Sequence, residues 1–85
     1  MWGVRYTADA IKALTRIDTG TAKRIRAKIL ALARDPTAPN NNVKKLTGVP
    51  GYRLRVGDWR VIYLLERHEL TVIVVRIGPR GSVYE

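Results

Sequence analysis

Cysteine and phenylalanine are absent from this 85-residue chain, and histidine and methionine occur once each. Without cysteine there is neither a disulfide framework nor a Cys-based zinc site. His68 cannot build a metal centre alone, so no metal or other cofactor is expected. Acidic residues are scarce: 7 Asp and Glu stand against 16 Lys and Arg, for a net charge of +9. Glu66 and Glu69 fall in one predicted turn and make no convincing acid–base pair. The chain has no Ser-His-Asp set, Walker loop or GxGxxG string. No apolar run approaches the length of a membrane span. The N-terminus lacks the charged, apolar, small-residue order of a signal peptide. A cytoplasmic protein with no membrane partner is therefore expected.

What is present suits a small globular protein. The composition is 46% hydrophobic, ample for a folded core and too high for a disordered tail. Residues 1–85 are expected to form one domain with a modest core. The excess positive charge speaks to partners: nucleic acid, the ribosome or an acidic protein. It is spread over several elements and not confined to one amphipathic helix, which argues against a membrane-surface role.

Trp2, Val4 and Tyr6 alternate with Gly3 and Arg5 and predict a short first strand. Thr7 can cap a helix with Asp9 in its first turn. Ala10, Ile11, Leu14 and Ile17 form that helix's apolar stripe. Asp18-Thr19-Gly20-Thr21 interrupts it, and Thr19 or Thr21 is the expected cap of a second helix. Ala22, Ile25, Ile29 and Leu32 give the second helix its core face. Lys23, Arg24, Arg26, Lys28 and Arg34 cover much of the rest, as a solvated face or a platform for a large RNA surface. Asp35-Pro36 ends it, because the residue before proline avoids helical geometry. Residues 35–51, rich in Pro, Asn and Gly, read as a long loop. Strands are expected at 52–56, 59–65 and 69–77. The predicted fold is α+β, in the order β-α-α-β-β-β. It is a small antiparallel sheet with a two-helix hairpin packed on one face and the other face free.

The most informative stretch runs Tyr52-Arg53-Leu54-Arg55-Val56-Gly57-Asp58-Trp59-Arg60-Val61-Ile62-Tyr63. Residues two apart on a strand share a face, so Arg53 and Arg55 point the same way. With Gly57-Asp58 as a two-residue turn, Val56 lies opposite Trp59 and Arg55 opposite Arg60. Like charges directly across a sheet destabilise it, and an anionic ligand on that face would remove the conflict. Tyr52, Leu54, Val56, Trp59, Val61, Tyr63 and Leu65 form the apolar side. The last strand is apolar on both sides and reads as central, with Ile73 and Val75 expected as a floor beneath the arginines.

Arginine stays protonated and donates in a planar fork that matches phosphate. Arg53, Arg55 and Arg60 are therefore candidate phosphate ligands. The C-terminal stretch adds Arg80 and Tyr84. A tyrosine in a positive field has its phenol pKa lowered and can relay or accept a proton; the competing role is a ring that caps the core edge. Lys44 and Lys45, on the long loop, either reach an RNA backbone or are simply solvated, and Arg76 joins them as a candidate RNA contact. His68 lies in a turn far along the strand from the arginines, where a catalytic role is not expected.

On these residues the chain resembles the RelE/ParE toxin superfamily, on its RelE side. The resemblance runs nearly end to end: Val4-Arg5-Tyr6-Thr7, Asp35-Pro36, Lys45-Leu46 with Gly48, the hairpin string from Tyr52 to Tyr63, Arg76-Ile77-Gly78, and Val83-Tyr84. It implies a type II toxin that enters the ribosomal A site and cuts mRNA by attack of a 2′-hydroxyl on the adjacent phosphate. It also implies a cognate acidic antitoxin as partner. By matching position it implies that Arg53, Arg55 and Arg60 hold the scissile phosphate, Arg80 lies near the leaving oxygen, and Tyr84 stacks on or orients the nucleotide. Relatives often carry lysine at the first two positions, one of them assigned as base. Here both are arginine, a poor base, which leaves proton abstraction to Tyr84 or to positioning. Where many relatives read Gly-His-Arg-Arg, this chain reads Gly78-Pro79-Arg80-Gly81, so a histidine-based mechanism is out of reach. Two alternatives remain: a ParE-like inhibitor of DNA gyrase, which does not need clustered hairpin arginines, and a non-catalytic binder of nucleic acid or antitoxin.

Overall fold

A computed structural model describes residues 1–80. Strand β1 (Gly3–Tyr6) leads into helices α1 (Ala8–Arg16) and α2 (Thr19–Arg34), followed by β2 (Val43–Lys45), β3 (Tyr52–Val56), β4 (Trp59–Glu66) and β5 (Thr71–Pro79). The strands form one sheet in the order β1-β5-β4-β3-β2. This is the expected α+β arrangement with two additions. The long loop contributes a short edge strand, β2, paired antiparallel to β3. The sheet is also mixed rather than wholly antiparallel, because β1 runs parallel to β5. Short connections dictate the antiparallel pairs, whereas β1 reaches its partner across the whole intervening chain, and side-chain alternation carries no signal for direction. With β1 on one side and β4 on the other, β5 is central, as its two-sided apolar character requires.

Both helices begin on capped ends. The Thr7 hydroxyl accepts from the Ala10 amide at 3.2 Å, with Asp9 in the first turn of α1. The cap of α2 is Asp18, not either of the expected threonines: its Oδ2 accepts from the Thr21 amide at 3.0 Å. Hydrogen bonds from Thr21 hold the Asp18 carboxyl below the ordinary Asp range. The interruption between the helices is thus a sharp corner at Ile17-Asp18 and not a loop.

The α2 stripe of Ala22, Ile25, Ile29 and Leu32 is buried as its spacing predicts, and Ala33 joins it. In α1 only Ala10 and Leu14 are buried. Ile11, expected on the stripe, is half exposed, because so short a helix presents a narrow face to β5. These helices cover the sheet face that carries Leu54, Val56, Val61, Tyr63, Val72, Val74 and Ile77, all buried. Fully burying each aliphatic side chain here is worth about 1.5–3 kcal/mol, which fixes which face of the hairpin is inside. Arg53 and Arg55, at the intervening positions of β3, are thereby turned to the uncovered face.

Candidate functional site

The site is built on the β3–β4 hairpin. Gly57 has φ +58 while Asp58 does not have a positive φ, the signature of a two-residue II′ turn with glycine first. That turn sets the register, placing Val56 opposite Trp59 and Arg55 opposite Arg60 as predicted. Two rows then cross the uncovered face. Lys44, Arg53, Ile62 and Arg76 are successive cross-strand partners. Arg55 and Arg60 continue to Gly78.

A bulge in β5 decides where Arg76 points. Counting by twos from Val72 and Val74 would put Arg76 in the core. The register instead shifts between Ile62 and Tyr63: Tyr63 pairs with Val74 and Ile62 with Arg76, so Val75 is the extra residue. A bulge of this kind reverses the alternation beyond it. Ile77 goes inside and Arg76 to the basic face. The carbonyl of Val75 accepts from the Thr7 hydroxyl at 2.7 Å, so the residue that caps α1 also satisfies the bulge.

Arg60 is the centre of the cluster. It is only 8% exposed, and its Nη1 donates long bonds to the carbonyls of Trp59 at 3.2 Å and Gly57 at 3.4 Å. Burial first, then the charges of Arg53, Arg80 and Arg55, push its pKa down; Asp58 alone opposes them. It remains a cation at neutral pH. Arg80 is brought there by its own backbone, whose amide donates to the Asp58 carbonyl at 2.8 Å. Arg55 makes a marginal contact to Asn42 at 3.4 Å. No described acidic side chain forms an ion pair with Arg53, Arg55, Arg60 or Arg80. The ion pair between Arg5 and Glu69 belongs to the far end of the sheet.

Two hollows flank this cluster. One, of about 550 Å³, is lined by Lys44, Lys45, Arg53 and Arg76 over Ile62 and Val75. The Nε of Arg53 is buried without a hydrogen-bond partner. Val75 and Ile62 form the apolar floor there, whereas Ile73, expected beside Val75, lines a separate depression with Leu64. The other hollow, of about 610 Å³, lies at the hairpin tip between Arg55, Arg60 and Arg80 on one side and Arg24 and Lys28 of α2 on the other.

Of the sequence-predicted site residues, Arg53, Arg55, Arg60 and Arg80 converge, and Lys44, Lys45 and Arg76 line the adjoining hollow with Arg53. Lys45 differs from Lys44 in register, being the partner of Tyr52. Tyr84 lies outside the described residues. His68 is in the turn after β4, where its amide donates to Glu66 at 3.0 Å, about 20 Å along the strand from Arg60. Arg24 and Lys28 were not singled out; their four-residue spacing on α2 was the available signal. Among the described residues no group of His, Cys, Asp and Glu could hold a metal ion, and no helix is long and apolar enough to cross a membrane.

Comparison with known proteins gives a consistent result. The family model described as ParE toxin of type II toxin–antitoxin system, parDE, matches residues 4–84. A chain in the crystal structure of the intact E. coli RelBE toxin–antitoxin complex superposes with TM-score 0.80 at 18% identity, covering 95% of this chain and 99% of that one. A chain of the archaeal RelE–RelB complex from Pyrococcus horikoshii OT3 gives 0.79 at 27% identity, covering 95% and 97%. The YoeB/ParE toxin from Agrobacterium tumefaciens gives 0.76 at 17% identity, covering 92% and 98%. No curated protein matches the chain significantly.

Proposed function

From the premise that this chain belongs to the ParE toxin family, and is a toxin of a type II toxin–antitoxin system, we propose that it is a ribosome-dependent endoribonuclease that cuts mRNA in the A site. The observation that carries this reading is Arg60, a nearly buried cation surrounded by Arg53, Arg55 and Arg80, opposed by the charge of Asp58 alone and in no ion pair with a described acidic side chain. Such a cluster is costly in the free protein and suits a phosphate in transit to a more highly charged transition state.

In the proposed reaction the ribose 2′-hydroxyl attacks the adjacent phosphorus and the bond to the 5′-oxygen of the next nucleotide breaks. The departing oxygen takes a proton from water, and the products are a cyclic phosphate and a free 5′-hydroxyl. Arg53, Arg55 and Arg60 neutralise the non-bridging oxygens, and Arg80 faces the leaving oxygen. Proton abstraction falls to Tyr84 or to positioning of the hydroxyl alone, since the arginines stay charged. Lys44, Lys45 and Arg76 hold the RNA beyond the scissile bond. A cognate acidic antitoxin is the proposed second partner, in line with the antitoxin-bound relatives of the same fold.

The match to the ParE family favours one other reading, inhibition of DNA gyrase through protein contacts. The two separate in one comparison. Programmed ribosomes incubated with the chain should yield mapped mRNA breaks, with gyrase supercoiling unaffected. Arg60→Met should lower cleavage by about 10²–10³-fold, the usual loss for one oxyanion donor, and Tyr84→Phe should lower it too. Intact mRNA together with arrested supercoiling would overturn the nuclease reading.

A further inference from the structure

The hollow at the hairpin tip has a second wall that the proposed cleavage chemistry does not use. Arg24 and Lys28 lie one turn apart on α2, both exposed, and face Arg55, Arg60 and Arg80 across about 610 Å³ of open space, with Asp58 the one described acidic residue on its rim. Like charges at this spacing destabilise a helix by about 0.2–0.5 kcal/mol, and neither forms an ion pair with a described residue. The Arg24 guanidinium lies over the turn: a Cβ on Gly57 would come within 3.2 Å of its Nη2. Gly57, which must keep its φ of +58, thus also leaves that guanidinium room. The charges acting on Arg60 are those of Arg53, Arg80 and Arg55, opposed by Asp58. Arg24 and Lys28, carried on α2, make a second positive wall beside that clamp.

We propose that Arg24 and Lys28 form a second phosphate subsite, which holds the RNA phosphate neighbouring the one bound by Arg55, Arg60 and Arg80. The inference rests on the nuclease reading for its ligand. An extended RNA strand carries one charge per nucleotide, and opposed cationic walls with a gap between them suit two successive phosphates better than one. Asn42, on the same rim, offers an amide to the intervening sugar. An acidic peptide is the competing occupant.

The test measures binding of a short single-stranded RNA, 2′-deoxy at the cleavable position, as a function of salt. Each phosphate contact contributes about 0.7 to the slope of log K against log salt for single strands. Arg24→Gln/Lys28→Gln should lower the slope by about 0.7. Lys12→Gln/Arg16→Gln, which removes the same charge from exposed positions of α1, should leave it unchanged. Equal losses for the two pairs would reduce the effect to net charge and overturn the subsite. An unchanged slope for the α2 pair with a reduced one for Arg60→Met would overturn the second subsite while sparing the first. A wild-type chain with no salt-dependent RNA binding would overturn both. Unaltered RNA binding by the α2 pair, with loss of binding to poly-glutamate, would overturn it in favour of an acidic protein partner.

Discussion

Replacing Arg55 by leucine should make the free protein more stable. Arg55 is exposed and lies directly across from Arg60, so the pair costs about 0.2–1 kcal/mol as a like-charge cross-strand contact. What the substitution gives up is small: a 3.4 Å exposed contact to Asn42, near the limit of a hydrogen bond. The net expectation is a gain of about 0.5 kcal/mol. For a domain of this size that is about 2–4 °C in Tm, within reach of calorimetry or a circular-dichroism melt. Two controls tie the gain to charge. It should vanish near 1 M KCl, where the screening length falls to about 3 Å. It should also shrink in an Arg60→Met background, because either substitution removes the same repulsion and the two are then less than additive. Methionine keeps the apolar stem of Arg60 packed. An Arg55→Leu protein that melts lower, or one whose gain persists in high salt and beside Arg60→Met, would refute the opposed-arginine account of the site.

Thr7→Val should cost about 1 kcal/mol for the lost helix cap and more for the Val75 carbonyl left without its donor, whereas Thr7→Ser should melt close to wild type. Tyr63 is fully buried with an unpartnered hydroxyl, and an unsatisfied buried polar group costs about 1–3 kcal/mol; Tyr63→Phe should therefore raise Tm. Burial, with the stacked Tyr52 ring 5.4 Å away, pushes the Tyr63 phenol up to about 12. Its neutral form is the one the fold favours. The stability it confers is complete below the unfolded value near 10 and is lost as pH rises from there through about 12. Alkaline melts of Tyr63→Phe should decline less steeply over that window, and parallel declines would remove the linkage.

Much of the site was legible in the residues between Tyr52 and Tyr63. Alternation assigned the faces, and a Gly-Asp pair fixed the turn and hence the register; both are local properties, so Arg55 had to meet Arg60. The α2 stripe was equally local, a matter of helical period. Asp18 as cap and the exposure of Ile11 were not, since each depends on how sharply the helices turn and how much of α1 meets β5. The resemblance drawn from the hairpin string agrees with the family match over residues 4–84.

The sequence alone settled the identity of the cationic face, because period-two patterning and a glycine turn act over a few bonds. Its extent was settled only in three dimensions. The extra residue at Val75 turns Arg76 outward, β1 finds β5 in parallel from the other end of the chain, and α2 brings Arg24 and Lys28 to the hairpin tip. Each of these depends on contacts between residues far apart in the chain, and such contacts are chosen by how the core closes rather than by any neighbouring residue.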